Sequence, residues 1–335
     1  RHVAVVGAGL AGAAVAQALA GRGLQVTVFD RQPHCAGETS GNPGGLFHGI
    51  VHGADGPHAR WLRAAALHCQ RVLAPLLADG RVAGRLGGLL RGEQALDSAA
   101  MRAQLQRLAL PADYAQVATD DAAGAAACWF YPGGGWASPA DLCAAWLQAP
   151  GITTRYGDSI QTLQPTGQGG WQLRGDGGQV LGVADAVVLC NAADALRLLG
   201  PDTGAALGPL QRVRGQTTVL PASTPGLPPL QTPWADGGYA LRLADGRLLC
   251  GATSQVGDND PAVRAADHTH NLDALRRLTG WTGDADATKL DGRVGWRLQS
   301  SDRLPLLGPV PDVQASAGQR RADQPRFVPR VPGLW

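Results

Sequence analysis

The stretch VAVVGAGLAGAAVAQALAGRGLQVTVFD, residues 3–30, decides the fold that the sequence predicts. Residues 3–6 and 25–29 are short apolar runs typical of buried parallel strands. The small residues at 11–20 between them favour a helix that packs closely on those strands. Strand, helix and strand in this order predict a βαβ unit, and therefore an α/β fold that opens with a Rossmann-type lobe.

Glycines follow the first predicted strand at G-x-G-x-x-G spacing. Gly7 permits the tight turn, Gly9 lets the backbone approach a pyrophosphate, and Gly12 lets the helix approach the strand. Free N–H groups and the dipole at the helix start then bind the phosphates. Asp30 follows Gly12 by 18 residues, where a carboxylate binds a ribose diol and repels a 2′-phosphate. The pattern predicts FAD or NAD rather than NADP, with contacts from Gly7, Gly9, Leu10, Ala11, Gly12, Asp30 and Arg31.

The same apolar stretch has an alternative interpretation as a signal peptide or a membrane helix, because Arg1 and His2 precede it. Glycines interrupt the stretch, no convincing cleavage site follows it, and a strand pattern comes directly after. No later run reaches the ~18 apolar residues that a membrane span requires. The sequence therefore favours the dinucleotide site and predicts no membrane contact.

Composition narrows the class of protein. The 335 residues are 44% hydrophobic and 17% charged, which is typical of a soluble globular chain with a large core, expected in two lobes. The net charge of +2 is too small to indicate a nucleic-acid binder. Widely spaced cysteines without a C-x-x-C pair indicate reduced thiols and a cytoplasmic protein. The close histidine pairs lack neighbouring cysteines or acid clusters, so no metal site is predicted.

Further patterns predict the organisation of the chain. Helices are expected at 59–78 and 97–108, and Ser138 is expected to cap a helix that has Pro139 in its first position. Strand patterns recur at 152–156, 160–163, 171–173, 179–183, 186–190, 216–220, 239–243 and 247–251. We expect a nucleotide-binding lobe interrupted by a β-rich lobe, as is common where a cofactor lies between two lobes.

The predicted division into lobes has five parts. Residues 1–75, 146–208 and 299–335 form the nucleotide-binding lobe, and residues 76–145 and 209–298 form the substrate lobe. The chain begins almost on its first strand without a methionine and stops at VPGLW, residues 331–335. We therefore expect it to continue at both ends into a longer polypeptide.

Four segments beyond the glycine fingerprint carry a family resemblance. They are AGETSGNPGGL at 36–46, VRGQ at 213–216, CGATS at 250–254 and GWRLQSSDRLPLLG at 295–308. With them the chain resembles the FAD-dependent amine and amino-acid oxidases of the D-amino-acid oxidase, glycine oxidase and sarcosine oxidase type. This resemblance implies FAD as the cofactor. It also implies a glutathione-reductase-like FAD-binding lobe of Rossmann type, interleaved with an antiparallel β-rich substrate lobe.

One branch of this family is more similar. The segments SGN at 40–42, YPGGGWASPADL at 131–142 and LPLLGPVPD at 304–312 resemble the oxidoreductase half of bifunctional enzymes that make 5-methylaminomethyl-2-thiouridine in tRNA. The resemblance implies a tRNA substrate and a methyltransferase domain, fused or separate, as partners. It implies an oxidoreductase acting on CH–NH bonds. Such an enzyme would remove the carboxymethyl group from 5-carboxymethylaminomethyl uridine at the wobble position, giving 5-aminomethyl uridine and glyoxylate.

The resemblance also implies roles for individual residues. Arg297 matches the family position that grips the substrate carboxylate, which suits the fork geometry of a guanidinium; the alternative is a surface arginine in a salt bridge. Tyr131 could wall the active site or stack on the uracil, or be a core aromatic residue. His48 could face the flavin or be a structural histidine. The implied catalytic set is therefore Arg297, Tyr131 and His48.

A flexible, donor-rich loop at 40–46 is expected to surround the pyrophosphate or the flavin ring. Ile160, expected inside a strand, and the residues that end the strand at 186–190 are expected to reach the cofactor as well. Gly215 is expected to occupy a structural turn. The cofactor contacts implied beyond the first glycine loop are Ser40, Gly41, Asn42, Gly44, Gly45, Leu46, Ile160, Asn191 and Ala192.

The tRNA contacts rest on the resemblance rather than on charge. The candidate phosphate contacts are Arg60, Arg63, Arg81, Arg85, Arg276, Arg277, Arg320 and Arg321, each with an ordinary solvated arginine as the alternative. Two other functions stay open. One is a small-molecule oxidase for glycine, sarcosine or a D-amino acid, and the other is a catalytically inactive fragment that only binds FAD.

Overall fold

The computed structural model describes residues 1–120, 126–317, 319, 321 and 324–335. Its helices are α1 (Leu10–Ala20), α2 (Pro57–Ala78), α3 (Ser98–Arg107), α4 (Pro139–Leu147), α5 (Ala195–Ala206), α6 (Ala265–Thr279) and α7 (Val313–Ser316). Its strands are β1 (His2–Val6), β2 (Gln25–Asp30), β3 (Gly45–Phe47), β4 (Gly84–Leu86), β5 (Leu89–Gly92), β6 (Gln116–Asp120), β7 (Ala126–Tyr131), β8 (Gly135–Ala137), β9 (Ile152–Tyr156), β10 (Thr162–Pro165), β11 (Trp171–Arg174), β12 (Val180–Ala184), β13 (Ala186–Leu189), β14 (Leu210–Leu220), β15 (Trp234–Ala235), β16 (Tyr239–Arg242), β17 (Leu248–Gly251), β18 (Gln255–Val256) and β19 (Asp291–Ser300).

The predicted βαβ unit is confirmed as the centre of a four-stranded parallel sheet, in the order β13-β1-β2-β9. Helix α1 packs on this sheet through Gly12, Ala13 and Ala16, which are all buried. Helix α4 covers the same cluster with Cys143 and Leu147. Small residues on α1 allow this close packing, because a larger side chain would hold the helix away from the strands.

A second, nine-stranded sheet runs β18-β14-β17-β16-β15-β5-β7-β6, with β19 paired along β14. Its pairs are antiparallel except that β15 lies parallel to β5. Helix α6 covers one face, where Leu272, Leu275 and Leu278 pack against Leu220 and Leu248. This is the β-rich lobe that the sequence predicts, and together the two sheets give the mixed architecture of the D-amino-acid-oxidase type.

A short segment of the first lobe is tied to β19. The hydroxyl of Thr39 donates to the carbonyl of Trp296 at 3.0 Å and accepts from its N–H at 3.1 Å. Arg293 donates through Nη2 to the carbonyl oxygens of Gly37 at 2.6 Å and Glu38 at 2.7 Å. These contacts hold the edge of the large sheet beside the nucleotide-binding lobe.

Two local predictions are wrong. The strand expected at 160–163 is β10, which begins later, and Ile160 lies in the connection before it. Gly215 is not in a turn but inside β14, opposite Gly295 on β19. A Cβ on Gly215 would lie 3.0 Å from the carbonyl oxygen of Thr253, and one on Gly295 would lie 3.1 Å from the hydroxyl of Thr39. The division of the chain into five parts stays a prediction.

The helices were checked for a membrane span. Among the described residues, none of them is both long and apolar enough to cross a bilayer. Helix α2 is long, but polar and charged residues recur along it.

Candidate FAD-binding and active site

A cavity of about 640 Å³ lies at the carboxyl end of the parallel sheet and extends to the edge of the large sheet. Both lobes line it: the first lobe contributes the glycine loop and the ends of β2 and β13, and the second contributes Arg212, Trp296 and Arg297. Crevices outside the carboxyl ends of parallel strands are where α/β proteins bind their ligands. The cavity is therefore the candidate functional site.

The glycine loop forms one wall of this cavity and has no room for side chains. Gly7 has a φ of +107°, and a Cβ there would lie 2.7 Å from the carbonyl oxygen of Cys190. A Cβ on Gly12 would lie 1.8 Å from the carbonyl oxygen of Gly7. A Cβ on Gly9 would stand 3.0 Å from the hydroxyl of Ser40 and would project from the loop that a pyrophosphate approaches. Each glycine thus has a geometric reason to be glycine.

The amino end of α1 presents N–H groups beside that wall. Gly9 is the N-cap and supplies no capping side chain. The N–H of Leu10 donates to the hydroxyl of Ser40 at 3.1 Å. The N–H groups of Ala11 and Gly12 belong to the first turn, where no intrahelical acceptor exists. Together with the helix dipole, these groups suit an anion such as a diphosphate.

Asp30 stands at the end of β2 and lines the cavity. Its Oδ2 accepts from the N–H of Ala8 at 2.6 Å, and its Oδ1 accepts from the N–H of Gln32 at 2.8 Å. Each carboxylate oxygen can accept a further hydrogen bond, because a carboxylate offers about four lone-pair sites. Asp30 therefore fixes the glycine loop and can still accept from a ribose diol.

Glu38 is a cavity residue that the sequence reasoning did not single out. Its Oε1 accepts from Arg31 Nη2 at 3.0 Å and from Gln32 Nε2 at 2.6 Å. Partial burial acts to raise the pKa of Glu38, but these hydrogen bonds and the charge of Arg31 outweigh it and lower the pKa. The only signal in the sequence is an acid in a glycine-rich loop shortly after Arg31.

Asn191 and Ile160 line the opposite wall. The side-chain oxygen Oδ1 of Asn191 is buried without a hydrogen-bond partner among the residues that the structure describes, while its Nδ2 donates to Asp194 at 3.2 Å. Ala192 follows with a φ of +49°. Ile160 is buried, and its carbonyl accepts from Arg197 at 2.8 Å. A buried acceptor at the cavity wall suits a hydrogen-bond donor of a bound ligand.

The loop at 40–46 runs from this cavity toward the large sheet. Ser40 lines the cavity, whereas Gly41, Asn42, Gly44, Gly45 and Leu46 are not among its lining residues in the described chain. A Cβ on Gly41 would lie 2.5 Å from Arg293 Nη2, and a Cβ on Gly44 would lie 3.2 Å from Leu241 and Trp136. The loop is thus clamped between the lobes, and its cofactor contacts stay predictions.

Arg297 on β19 reaches the cavity from the second lobe. Its Nη2 donates to the carbonyl of Thr253 at 3.2 Å, and it forms no ion pair within the described residues. Burial raises the pKa of the nearby Tyr239 phenol, although the charge of Arg297 acts in the opposite direction. Tyr239 itself is not among the lining residues of the cavity in the described chain. A guanidinium without a carboxylate partner is available for a substrate carboxylate.

The structure does not bring His48 and Tyr131 into this cavity. Their rings stack at 5.3 Å, and five strands separate Tyr131 on β7 from Arg297 on β19 in the sheet. The hydroxyl of Tyr131 is buried and has no hydrogen-bond partner in the described part of the chain, and burial raises its pKa to about 12. Burial also lowers the pKa of His48. Their catalytic roles remain predictions.

Comparisons with known proteins show the family to which the chain belongs. The family model described as FAD dependent oxidoreductase matches residues 2–334. The chain belongs to this FAD-dependent oxidoreductase family. FAD is therefore its cofactor, and the cavity fits FAD by its side-chain-free glycine wall, its free helix N–H groups and the orphaned Asn191 oxygen.

Two curated relatives of the flavoprotein carry the same printed name, tRNA 5-methylaminomethyl-2-thiouridine biosynthesis bifunctional protein. The protein from Methylibium petroleiphilum is 44% identical over 98% of this chain and 52% of its own length. The protein from Burkholderia orbicola is 41% identical over 100% of this chain and 54% of its own length. The flavoprotein thus spans about half the length of the curated relatives that it matches.

Solved structures share the fold of the flavoprotein. Glycine oxidase from Geobacillus kaustophilus has a TM-score of 0.72 and 25% identity, covering 93% of this chain and 86% of its own. Iminodiacetate oxidase from Chelativorans has a TM-score of 0.72 and 24% identity, covering 92% of this chain and 86% of its own. For metal ions, no group of three or more His, Cys, Asp or Glu side chains in the described ranges could hold one.

Proposed function

We propose that this flavoprotein oxidises the C–N bond of an N-substituted glycine carried on the wobble uridine of tRNA. The observation that carries the proposal is the position of Arg297. Its guanidinium lines the same cavity as Gly7, Asp30 and Ser40, and within the described residues it has a carbonyl but no carboxylate as partner. A site that joins a flavin cradle to an unpaired arginine suits an amine substrate with a carboxylate.

The relatives supply the substrate class. Proteins 36–44% identical over 98–100% of this chain are named for the biosynthesis of 5-methylaminomethyl-2-thiouridine in tRNA. That nucleoside is reached from a uridine bearing a carboxymethylaminomethyl group, which is a glycine unit attached through its nitrogen. The carboxylate of this unit is the group that Arg297 would bind in two parallel hydrogen bonds.

The reaction removes two electrons from the substrate. The carbon between nitrogen and carboxylate loses a hydride, and the nitrogen lone pair forms the C=N bond of an imine. Bound FAD supplies the hydride acceptor. Water then adds to the imine carbon and the C–N bond breaks, which gives glyoxylate and 5-aminomethyl uridine.

The residues of this chain hold and orient the substrate. Arg297 fixes the carboxylate, and through it the carbon that must lose the hydride. The proposal includes two partners: a methyltransferase domain, fused or separate, and the tRNA substrate itself. The compartment we propose is the cytoplasm.

The test is a visible absorption spectrum of the FAD-loaded chain during anaerobic titration. The titrants are tRNA with the carboxymethylaminomethyl uridine, the same tRNA without that group, glycine and sarcosine. We expect the flavin band to bleach with the modified tRNA alone. A band that stays unbleached with the modified tRNA would overturn the proposal.

A second candidate is a small-molecule amine oxidase. It is supported by the 25% identity to a glycine oxidase and by a cavity that accepts the same glycine unit. Bleaching by glycine or sarcosine at least as fast as by the modified tRNA would favour it. A third candidate, a fragment that binds FAD without turning over, predicts stable flavin bands that no titrant bleaches.

A further inference from the structure

A second cavity, separate from the flavin site, lies where the β4–β8 pair meets the end of β16. It measures about 410 Å³. No acidic side chain is among its lining residues in the described part of the chain, and two arginines are. The lining residues are Gly84, Arg85, Trp136, Pro229, Leu230, Gln231, Pro233, Arg242, Leu243 and Ala244. We call it the Arg85–Arg242 cleft.

The two guanidinium groups of this cleft lack acidic partners. Neither Arg85 nor Arg242 forms a salt bridge or a side-chain hydrogen bond within the described residues, and Nη1 of Arg242 is buried with no acceptor. A buried donor left without an acceptor destabilises the folded chain, and more so when it is charged. The free guanidinium donors of the cleft can therefore bind an anionic acceptor.

Most other candidate arginines are already satisfied. Arg60 and Arg63 pair with Asp55, Arg81 pairs with Asp79, and Arg276 pairs with Asp273 and Asp284. Arg320 lies outside the described residues. Arg85 differs from the paired group because it faces a cleft that contains a second free arginine.

The other cleft walls favour a nucleotide over a simple anion. Trp136 is only 5% exposed and lines the cleft, and five of the remaining lining residues are apolar: two leucines, two prolines and an alanine. Base and sugar surfaces pack on such walls, while arginine forks bind phosphate oxygens. Because the whole chain carries a net charge of only +2, RNA binding must rely on local sites of this kind.

The cleft adjoins the loop that leads to the flavin site. Trp136 on β8 pairs with Arg85 on β4 and with Leu46 on β3, because β8 lies between these two strands. Its ring also lies 3.2 Å from a Cβ built on Gly44. An RNA strand bound in the cleft would therefore be separated from the 44–46 segment by a single β-strand, β8.

We infer that the Arg85–Arg242 cleft binds a backbone phosphate of the RNA substrate, with an adjacent nucleotide against Trp136. This inference rests on the proposed function for the identity of the RNA. The inference adds a phosphate-binding site that neither the relatives' names nor the family match assigns. It also adds Arg242 to the residues that would contact the RNA.

The test is fluorescence anisotropy of a labelled, unmodified tRNA anticodon stem-loop with this chain. The proteins are the parent, Arg85→Gln, Arg242→Met and the control Arg22→Gln, an exposed arginine at the far end of α1. We expect each cleft variant to bind about tenfold more weakly. Between about 50 and about 200 mM salt, the slope of log K against log salt should fall by about 1 in each. The control should retain the parent values.

Several outcomes would overturn the inference. Arg85→Gln is exposed and tests the site even if Arg242→Met fails to fold, and parent affinity and slope in Arg85→Gln would contradict the site. Inorganic phosphate that quenches the tryptophan fluorescence without competing with RNA would identify a free anion as the ligand and overturn the RNA assignment. A parent chain without RNA affinity would do the same.

The proposed oxidation can be separated from this site. The carboxymethylaminomethyl nucleoside alone lacks backbone phosphates, so its bleaching of the flavin tests the chemistry without the cleft. Bleaching together with unchanged RNA binding by the variants would refute the cleft alone. Weakened RNA binding by the variants without any bleaching would support the cleft and refute the oxidation.

Discussion

At the scale of single residues, two arginines on neighbouring strands show how environment separates structure from function. Arg214 on β14 is fully buried, and its acceptors are Asp267, Gln255, Gln216 and the carbonyls of two loop residues. Arg297 on β19 has one carbonyl at 3.2 Å. A guanidinium with every donor occupied stabilises the fold, and one with free donors can bind a ligand.

Arg297→Gln tests the free guanidinium. We expect kcat/KM for the carboxylate substrate to fall about 10²-fold, because the reacting carbon loses its orientation. Arg297→Lys keeps the positive charge but not the forked guanidinium, so its kcat/KM should lie between those of the parent and of Arg297→Gln. Anaerobic stopped-flow reduction measures both, with Arg102→Gln on exposed α3 as the control. Full kcat/KM in Arg297→Gln would contradict the assignment.

The buried position of His48 predicts how the free energy of unfolding depends on pH. Burial lowers its pKa below the ordinary value of 6.5, so the unfolded chain binds more protons than the folded chain as pH falls below about 6.5. The free energy of unfolding should therefore decrease as pH falls through that window. His48→Gln should flatten this dependence in urea titrations, after correction for its packing cost at pH 7. An unchanged slope would show that His48 does not contribute.

At the scale of elements, the close contact of α1 with the glycine loop makes Gly12 sensitive. A Cβ there would meet the carbonyl oxygen of Gly7 at 1.8 Å, and only a backbone shift could relieve it. We expect Gly12→Ala to lower stability by roughly 1–3 kcal/mol and to weaken FAD binding. Denaturant unfolding and FAD titration measure the two effects.

The matched control for this change is Gly204→Ala on α5. Its Cβ would meet only Leu196, at 3.9 Å, which is an ordinary contact. The control should be neutral or slightly stabilising, by about 0.4–1 kcal/mol. Equal FAD affinity in Gly12→Ala and in the parent would show that the glycine loop does not form the cofactor wall.

Helix α6 is joined to β14 by the buried ion pair of Arg214 and Asp267, at 2.6 Å. Removing one partner leaves a buried charge alone, so Arg214→Met should cost about 3–5 kcal/mol. The exposed pair of Arg247 and Asp245 is the comparison, and Arg247→Met should cost about 0–1 kcal/mol. Urea unfolding measures both. Equal small losses would mean that the buried pair is not a net stabiliser of this element.

At the scale of the whole molecule, the flavin cavity is lined by both lobes, from Asp30 to Arg297. A ligand that binds only the folded chain stabilises it, by about 2.7 kcal/mol at a free concentration ~100 times its Kd. Because FAD would contact both lobes, we expect calorimetry to show one unfolding transition that moves up when FAD is added. Two transitions, of which FAD moves only one, would contradict a shared site.

Much of the fold could be predicted from local sequence. The βαβ unit follows from two short apolar runs, the small residues between them and the glycine spacing, and α2, expected at 59–78, is observed at Pro57–Ala78. The predicted cap also holds, since Ser138 accepts from the N–H of Asp141 at 3.2 Å. These features depend on residues close in the chain. The wrong strand at 160–163 shows that burial of an apolar residue such as Ile160 does not require a strand.

The sequence by itself determined the dinucleotide cradle, because the cradle depends on the type and spacing of residues within a short segment. That spacing left FAD and NAD open, and the resemblance of further short segments to a known family implied FAD. The tertiary structure alone decided which side chains share a cavity. It placed Arg297 beside the cradle, left Tyr131 five strands away, and brought Arg85 and Arg242 to one cleft. The physical reason is that contacts over long sequence separations, such as the hydrogen bond from the Thr39 hydroxyl to the carbonyl of Trp296, are set by the packing of the whole molecule.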